Sequence, residues 1–105
     1  MLRAGLSTNK IRCSYVHRIG NTKIRLTVYA KSATGGENAV VGLTVNGSYG
    51  GVSTSASTYT KLTTTYDVTA LTSGNIYEII VSLGTENEAE AVYMKQVVVD
   101  VESTA

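Results

Sequence analysis

The sequence predicts an all-β domain, an antiparallel β-sandwich, and three observations carry that expectation. Val, Thr and Tyr, which fit a pleated and half-buried strand, number 13, 15 and 7 among the 105 residues, while Pro, Trp and Phe are absent. Several short runs alternate apolar and polar residues with the period of two that a strand with one buried face requires. Ten Gly and ten Ser gather between those runs, where turns need them. A chain of this length buries about two-thirds of its unfolded surface without a metal or disulfide. It therefore reads as one domain over residues 11–105, preceded by an N-terminal arm over 1–10.

The elements follow in order. Ile11 to Arg18 and Lys23 to Lys31 both alternate, and the Gly20-Asn21 pair between them suits a two-residue hairpin turn. With that tip, Ile11 pairs with Ala30, Cys13 with Val28, Tyr15 with Leu26 and His17 with Ile24 on an apolar face. The other face pairs Arg12 with Tyr29, Ser14 with Thr27, Val16 with Arg25 and Arg18 with Lys23. Ala39 to Val45 and Ser48 to Thr54 flank Asn46-Gly47, a strong signal for a second hairpin. Its register puts Ala39, Val41, Leu43 and Val45 on one face with Val52, and Gly42 opposite Gly51 beside Tyr49. Glycines there weaken a sheet unless something approaches closely.

Leu62, Thr64, Tyr66 and Val68 alternate next, and Tyr77, Ile79, Val81 and Leu83 form one face of a later strand. Ala91 to Glu102 supplies a long last strand whose apolar residues change phase, so either both faces are covered or a bulge lies near Lys95-Gln96. Six to eight antiparallel strands without a helix imply two packed sheets, in a jelly-roll or else a Greek-key, immunoglobulin-like topology. The spacing Leu71-x-x-Gly74-x-x-Tyr77 resembles the tyrosine corner of fibronectin type III domains and related Greek-key sandwiches. That resemblance implies that the Tyr77 hydroxyl bonds backbone upstream. The Trp of those families and the Pro that often precedes the Gly are missing here.

Charge is strongly polarised along the chain. Arg3, Lys10, Arg12, Arg18, Lys23, Arg25 and Lys31 give residues 1–31 a charge of +7, and two lysines against eight acids leave −6 on the rest. In the expected hairpin, Arg12, Arg18, Lys23 and Arg25 share a face with Tyr29. Such a face either pairs with Glu78, Asp100 or Glu102 on neighbouring strands or meets an acidic partner. Nucleic acid is not expected, because the pI is only 7.8 and Tyr29 is the sole aromatic assigned to that face. Glu86, Glu88 and Glu90 make an acidic loop that a basic face of another copy could meet, or, with Asn87, one that could offer oxygens to calcium, although the loop pattern of an EF-hand is absent.

Catalytic and cofactor signatures are absent from the sequence. Cys13 and His17 are the only residues of their kinds and lie about 13 Å apart on one strand, too far for proton transfer. One Cys and one His cannot build a zinc site, and the lone thiol is expected in the core. Asn46-Gly47-Ser48 matches a glycosylation sequon, to which little weight attaches in a hairpin turn. No run of about 18 apolar residues occurs, and no secretory h-region opens the chain, so neither a membrane span nor export is expected. The Gly47 to Ser57 stretch around Tyr49 reads either as a mobile hairpin end or as a loop for a sugar or a protein partner, since a phenol ring stacks on a pyranose and Ser hydroxyls bond it.

Strand runs such as Lys23 to Lys31 and Val97 to Val101, in a short chain rich in Thr, Ser and Gly, resemble the small virion proteins of tailed bacteriophages. Capsid decoration or cement proteins and the jelly-roll modules of fibres and carbohydrate-binding domains are the similar kinds. The resemblance implies a structural virion protein, assembled in the host cytoplasm, homo-oligomeric and not an enzyme, that docks on the major capsid or another virion protein through its basic N-terminal region. The alternative is a glycan- or receptor-binding fibre module acting through Tyr49 and the Gly42/Gly51 strip.

Overall fold

The computed structural model describes residues 2–4 (backbone), 9–33, 38–85 and 91–104. Eight strands appear there: β1 (Leu2–Ala4), β2 (Asn9–Val16), β3 (Asn21–Ser32), β4 (Ala39–Val45), β5 (Ser48–Thr54), β6 (Thr60–Asp67), β7 (Ile76–Thr85) and β8 (Val92–Ser103). They form two four-stranded antiparallel sheets, ordered β1-β8-β3-β6 and β2-β7-β4-β5. The core lies between them. Ile24, Leu26 and Val28 of β3 and Met94 of β8 face Val41 and Leu43 of β4 and Val81 and Leu83 of β7, all buried. Full burial of one such Leu or Ile contributes about 2 kcal/mol.

The expected first hairpin does not form. β2 pairs with β7, Cys13 opposite Ile79 and Tyr15 opposite Tyr77, while β3 pairs with β8 and β6 in the other sheet. The turn explains the difference. Its hydrogen bond runs from the Asn21 amide to the Arg18 carbonyl at 3.1 Å, so its central residues are Ile19 and Gly20. Only Gly20 has a positive φ, 94°, which is the φ pattern of a type II turn. Such a turn splays its flanking strands where a primed turn would pair them. Charge favours the same outcome: Lys23 lies between Glu102 and Asp67 and Arg25 opposite Asp100, whereas the hairpin would have set Arg18 against Lys23.

β2 is consequently an edge strand. Cys13 is exposed, not in the core, and Ile11 keeps 39% of its surface. His17 is buried just beyond the strand, with Nδ1 2.7 Å from the Tyr15 hydroxyl, which also accepts from Asn21 Nδ2 at 2.9 Å. It is a satisfied structural histidine.

Elsewhere the local signals hold. Asn46 and Gly47, at φ 50° and 80°, turn β4 into β5 with Gly42 opposite Gly51. The Thr72 amide donates to the Tyr77 hydroxyl at 2.9 Å, the corner bond, with Gly74 left-handed at φ 88°. That donor holds the Tyr77 phenol below its ordinary pKa, because it favours the phenolate. Both chain ends are tied within the chain: β1 pairs with β8, and the Thr104 amide donates to the Gly20 carbonyl at 2.8 Å.

The phase change in β8 is a bulge. Thr27 pairs with Val98 and Tyr29 with Lys95, so Val28 alone faces Gln96 and Val97. Gln96 takes φ 54°, and Val92 and Met94 before it and Val97 and Val99 after it all turn to the core. A left-handed non-glycine residue costs about 1 kcal/mol. Gln96→Gly should therefore raise stability in urea melts by up to about 1 kcal/mol, and Gln96→Val should lower it by about as much. Equal effects of the two would contradict the bulge.

Candidate ligand-binding groove

The tight β4–β5 turn dictates what the outer face of the β2-β7-β4-β5 sheet presents. Registers across four strands give one row of Lys10, Ser82, Gly42 and Gly51, and beside it a row of Arg12, Ile80, Thr44 and Tyr49. The two glycines leave a gap that the Tyr49 ring fills. A Cβ on Gly42 would collide with that ring and with Ser82 Oγ, and one on Gly51 would stand 2.7 Å from the Tyr49 hydroxyl. The glycine strip is thus covered by Tyr49 and is not bare backbone. The ring rests on the sheet yet keeps 60% of its surface exposed.

Beside it runs an open cleft of about 640 Å³ lined by Lys10, Val40, Thr44, Tyr49, Ile80 and Ser82. Thr44, Ile80 and Ser82 lie on the central strands β4 and β7, Tyr49 on the β5 side and Lys10 on the opposite side at the β2 edge. Ser82 lies largely buried in the floor at 9% exposure, although no further layer of structure among the described residues covers this face. Glu78, the carboxylate on this face among the described residues, is engaged 3.1 Å from Arg12. An aromatic face, the hydroxyls of Thr44, Ser82 and Thr85, an apolar strip and one ammonium are chemistry for holding a polyhydroxylated ligand.

The other residues singled out from the sequence scatter. Arg12 sits on this sheet and Arg25 on the other, 3.1 Å from Asp100, so the single basic face does not exist. Both pairs are about half exposed, and such pairs contribute at most about 1 kcal/mol each. Arg18 is exposed in the turn after β2. Lys23 neighbours Asp67, whose carboxyl is held below its ordinary pKa by the Thr69 hydroxyl at 2.6 Å and the Thr69 amide at 2.8 Å. Tyr29 faces Lys95 and Lys61, not Arg12. Arg3 lies in β1 opposite Tyr93, and Glu86, Glu88 and Glu90 lie outside the described residues. Among those described, no three His, Cys, Asp or Glu residues cluster as metal ligands would. Sequence reasoning missed Ser82, Ile80 and Lys10 as groove residues, because their place beside Gly42 and Thr44 depends on which strands are neighbours.

No protein-family model and no curated protein matches the chain. Among solved structures, the 1.9 Å crystal structure of the uncharacterized protein lmo2446 from Listeria monocytogenes EGD-e is similar, with a TM-score of 0.54 at 14% identity. The match covers 87% of this chain and 8% of that one, so a like fold occurs there as a small part of a much longer protein. At that identity the likeness concerns the fold alone.

The glycine strip and the tyrosine can be tested as a unit. Gly42→Ala, which in an open strand would stabilise, should here cost about 1–3 kcal/mol from overpacking. Adding Tyr49→Ala should return part of that loss, and a double-mutant cycle by thermal melts reads the coupling directly. Additive effects would mean that the ring does not lie on the glycines.

Proposed function

We propose that the chain is a non-catalytic jelly-roll recognition module of a larger surface assembly, of the kind found in tailed-phage fibres, and that it holds a saccharide in the groove beside Tyr49. The strand orders β1-β8-β3-β6 and β2-β7-β4-β5 support the jelly roll, since folding an eight-stranded antiparallel ribbon over on itself gives this interleaving. The single observation that carries the saccharide is the Tyr49 ring, 60% exposed, seated on two glycines at the side of a cleft lined by Thr44, Ser82, Val40 and Ile80. A ring pinned in this way loses little freedom when a pyranose stacks on it.

A second reading, capsid decoration, draws on a different end of the molecule. Ile19 at the β2–β3 turn is 83% exposed next to Arg18, and the register neighbours Val16 and Ile76 are 41% and 69% exposed. Apolar side chains beside an arginine make a docking knob for a virion protein, a larger anchor than charge alone.

One experiment separates the readings. The intact chain and its Tyr49→Ala and Arg18→Glu/Ile19→Asp variants are applied to a glycan array and, in parallel, to capsids or fibres of a source phage. Saccharide binding lowered about tenfold by Tyr49→Ala and untouched by the turn variant is the expected result. Saccharide binding indifferent to Tyr49 would end the groove reading, and particle binding lost only in the turn variant would favour decoration.

A further inference from the structure

The outer face of the β1-β8-β3-β6 sheet carries a second surface, assembled from residues far apart in sequence. Tyr29 in the middle of β3 lies between Lys95 of β8 and Lys61 of β6, and Lys31, two residues on, lies opposite Tyr93. The Lys31 ammonium stands 5.0 Å from the centre of the Tyr59 ring and 5.5 Å from that of Tyr93, and the Lys95 ammonium 4.1 Å from Tyr59. Cations and phenols therefore alternate across three strands, roughly 10 Å from side to side. Two ammonium groups converge on one ring. The ion pairs found among the described residues, Arg12 with Glu78 and Arg25 with Asp100, leave both of them out.

Cation-π contacts order these lysines but do not neutralise them. An anion placed between Lys31 and Lys95 relieves their mutual repulsion and meets side chains already held in position, so little freedom is lost on binding. The rest of the face decides which anion. Beyond a neutral row of Thr27, Thr63 and Val98 come Asp100 and then Glu102 and Asp67, only partly offset by Arg25 and Lys23. A nucleic acid, with a phosphate on every residue, would run into those acids. Ammonium groups also stand over Tyr59 and Tyr93, where a base would have to stack. A polysaccharide with spaced carboxylates or sulfates fits the patch, its sugar rings packing on Tyr29.

We propose that this face binds an acidic polysaccharide, Lys31, Lys61 and Lys95 taking its anionic groups while Tyr59 and Tyr93 hold the Lys31 and Lys95 ammonium groups in place and Tyr29 meets a sugar ring. The site is separate from the groove beside Tyr49, on the opposite sheet.

Calorimetric titration of the intact chain with a heparin oligosaccharide tests it, with neutral dextran and oligo(dT) as comparisons at equal salt. Heparin should bind, dextran should not bind through this face, and oligo(dT) should bind at least about tenfold more weakly. Lys31→Gln/Lys95→Gln should weaken heparin about tenfold, whereas Arg12→Gln/Arg25→Gln, which removes the same charge elsewhere, should stay within about twofold. Lys31→Arg/Lys95→Arg should keep binding, which guards against a folding defect in the Gln variant, and Tyr49→Ala should keep it too. Equal losses in the two Gln variants, oligo(dT) bound as tightly as heparin, or no heparin binding would each overturn the proposal.

Discussion

Strand β3 runs between β8 and β6, and that placement decides what both outer faces of the molecule present. It follows from the turn at Arg18 to Asn21, where only Gly20 takes a left-handed conformation and the chain crosses from one sheet to the other instead of folding back. Released from β2, β3 sets Lys23 and Arg25 among Asp67, Asp100 and Glu102 at one end and leaves Tyr29 and Lys31 among Lys61, Tyr93 and Lys95 at the other. Its alternate residues Ile24, Leu26, Val28 and Ala30 are fully buried, so the strand that organises the surface also anchors the core.

β2, sent to the opposite sheet, completes the second face. It brings Lys10 beside Ser82 and Arg12 beside Ile80, closing the side of a groove whose other wall is Tyr49. One sheet thus offers a polar cleft with an aromatic wall, and the other a lattice of phenols and ammonium groups. The polarity of the linear charge is partly cancelled in space, because Arg12 and Arg25, and Lys23 in register, meet acids from the C-terminal two-thirds of the chain. Among the described residues, the ion pairs leave out Lys31 and Lys95, one from each side of the apparent divide, along with Lys10, Arg18 and Lys61.

Legibility in the sequence tracked how local each determinant is. The Asn46-Gly47 hairpin, the Tyr77 corner and the bulge at Gln96 each depend on a few adjacent residues; the first two are present as expected, and the bulge is the one of the two alternatives left open for the last strand that the structure adopts. The partner of Ile11 to Arg18 is a non-local choice: its alternation suits β3 as well as β7, so period two told which residues share a face and not which strands lie side by side. The same gap hid the surface around Tyr29, since Tyr59 and Tyr93 join it only once β6 and β8 flank β3. Tyr49 was legible as an aromatic in the β4–β5 hairpin, but the neighbouring glycines looked open when they are the seat of its own ring.

The parting of β2 from β3 can be tested with the native Cys13, which faces Ile79 across one sheet and would have faced Val28 in a hairpin. Cysteines opposite each other on neighbouring antiparallel strands have Cα atoms about 4.5–5.5 Å apart, within reach of a disulfide, whereas packed sheets stand about 10 Å apart. Ile79→Cys should therefore form an intramolecular disulfide with Cys13 on mild oxidation, read as a mobility shift and loss of free thiol, while Val28→Cys should retain both thiols. Ready cross-linking of the Val28→Cys variant, with the Ile79→Cys variant left reduced, would contradict the strand arrangement on which both proposed surfaces stand.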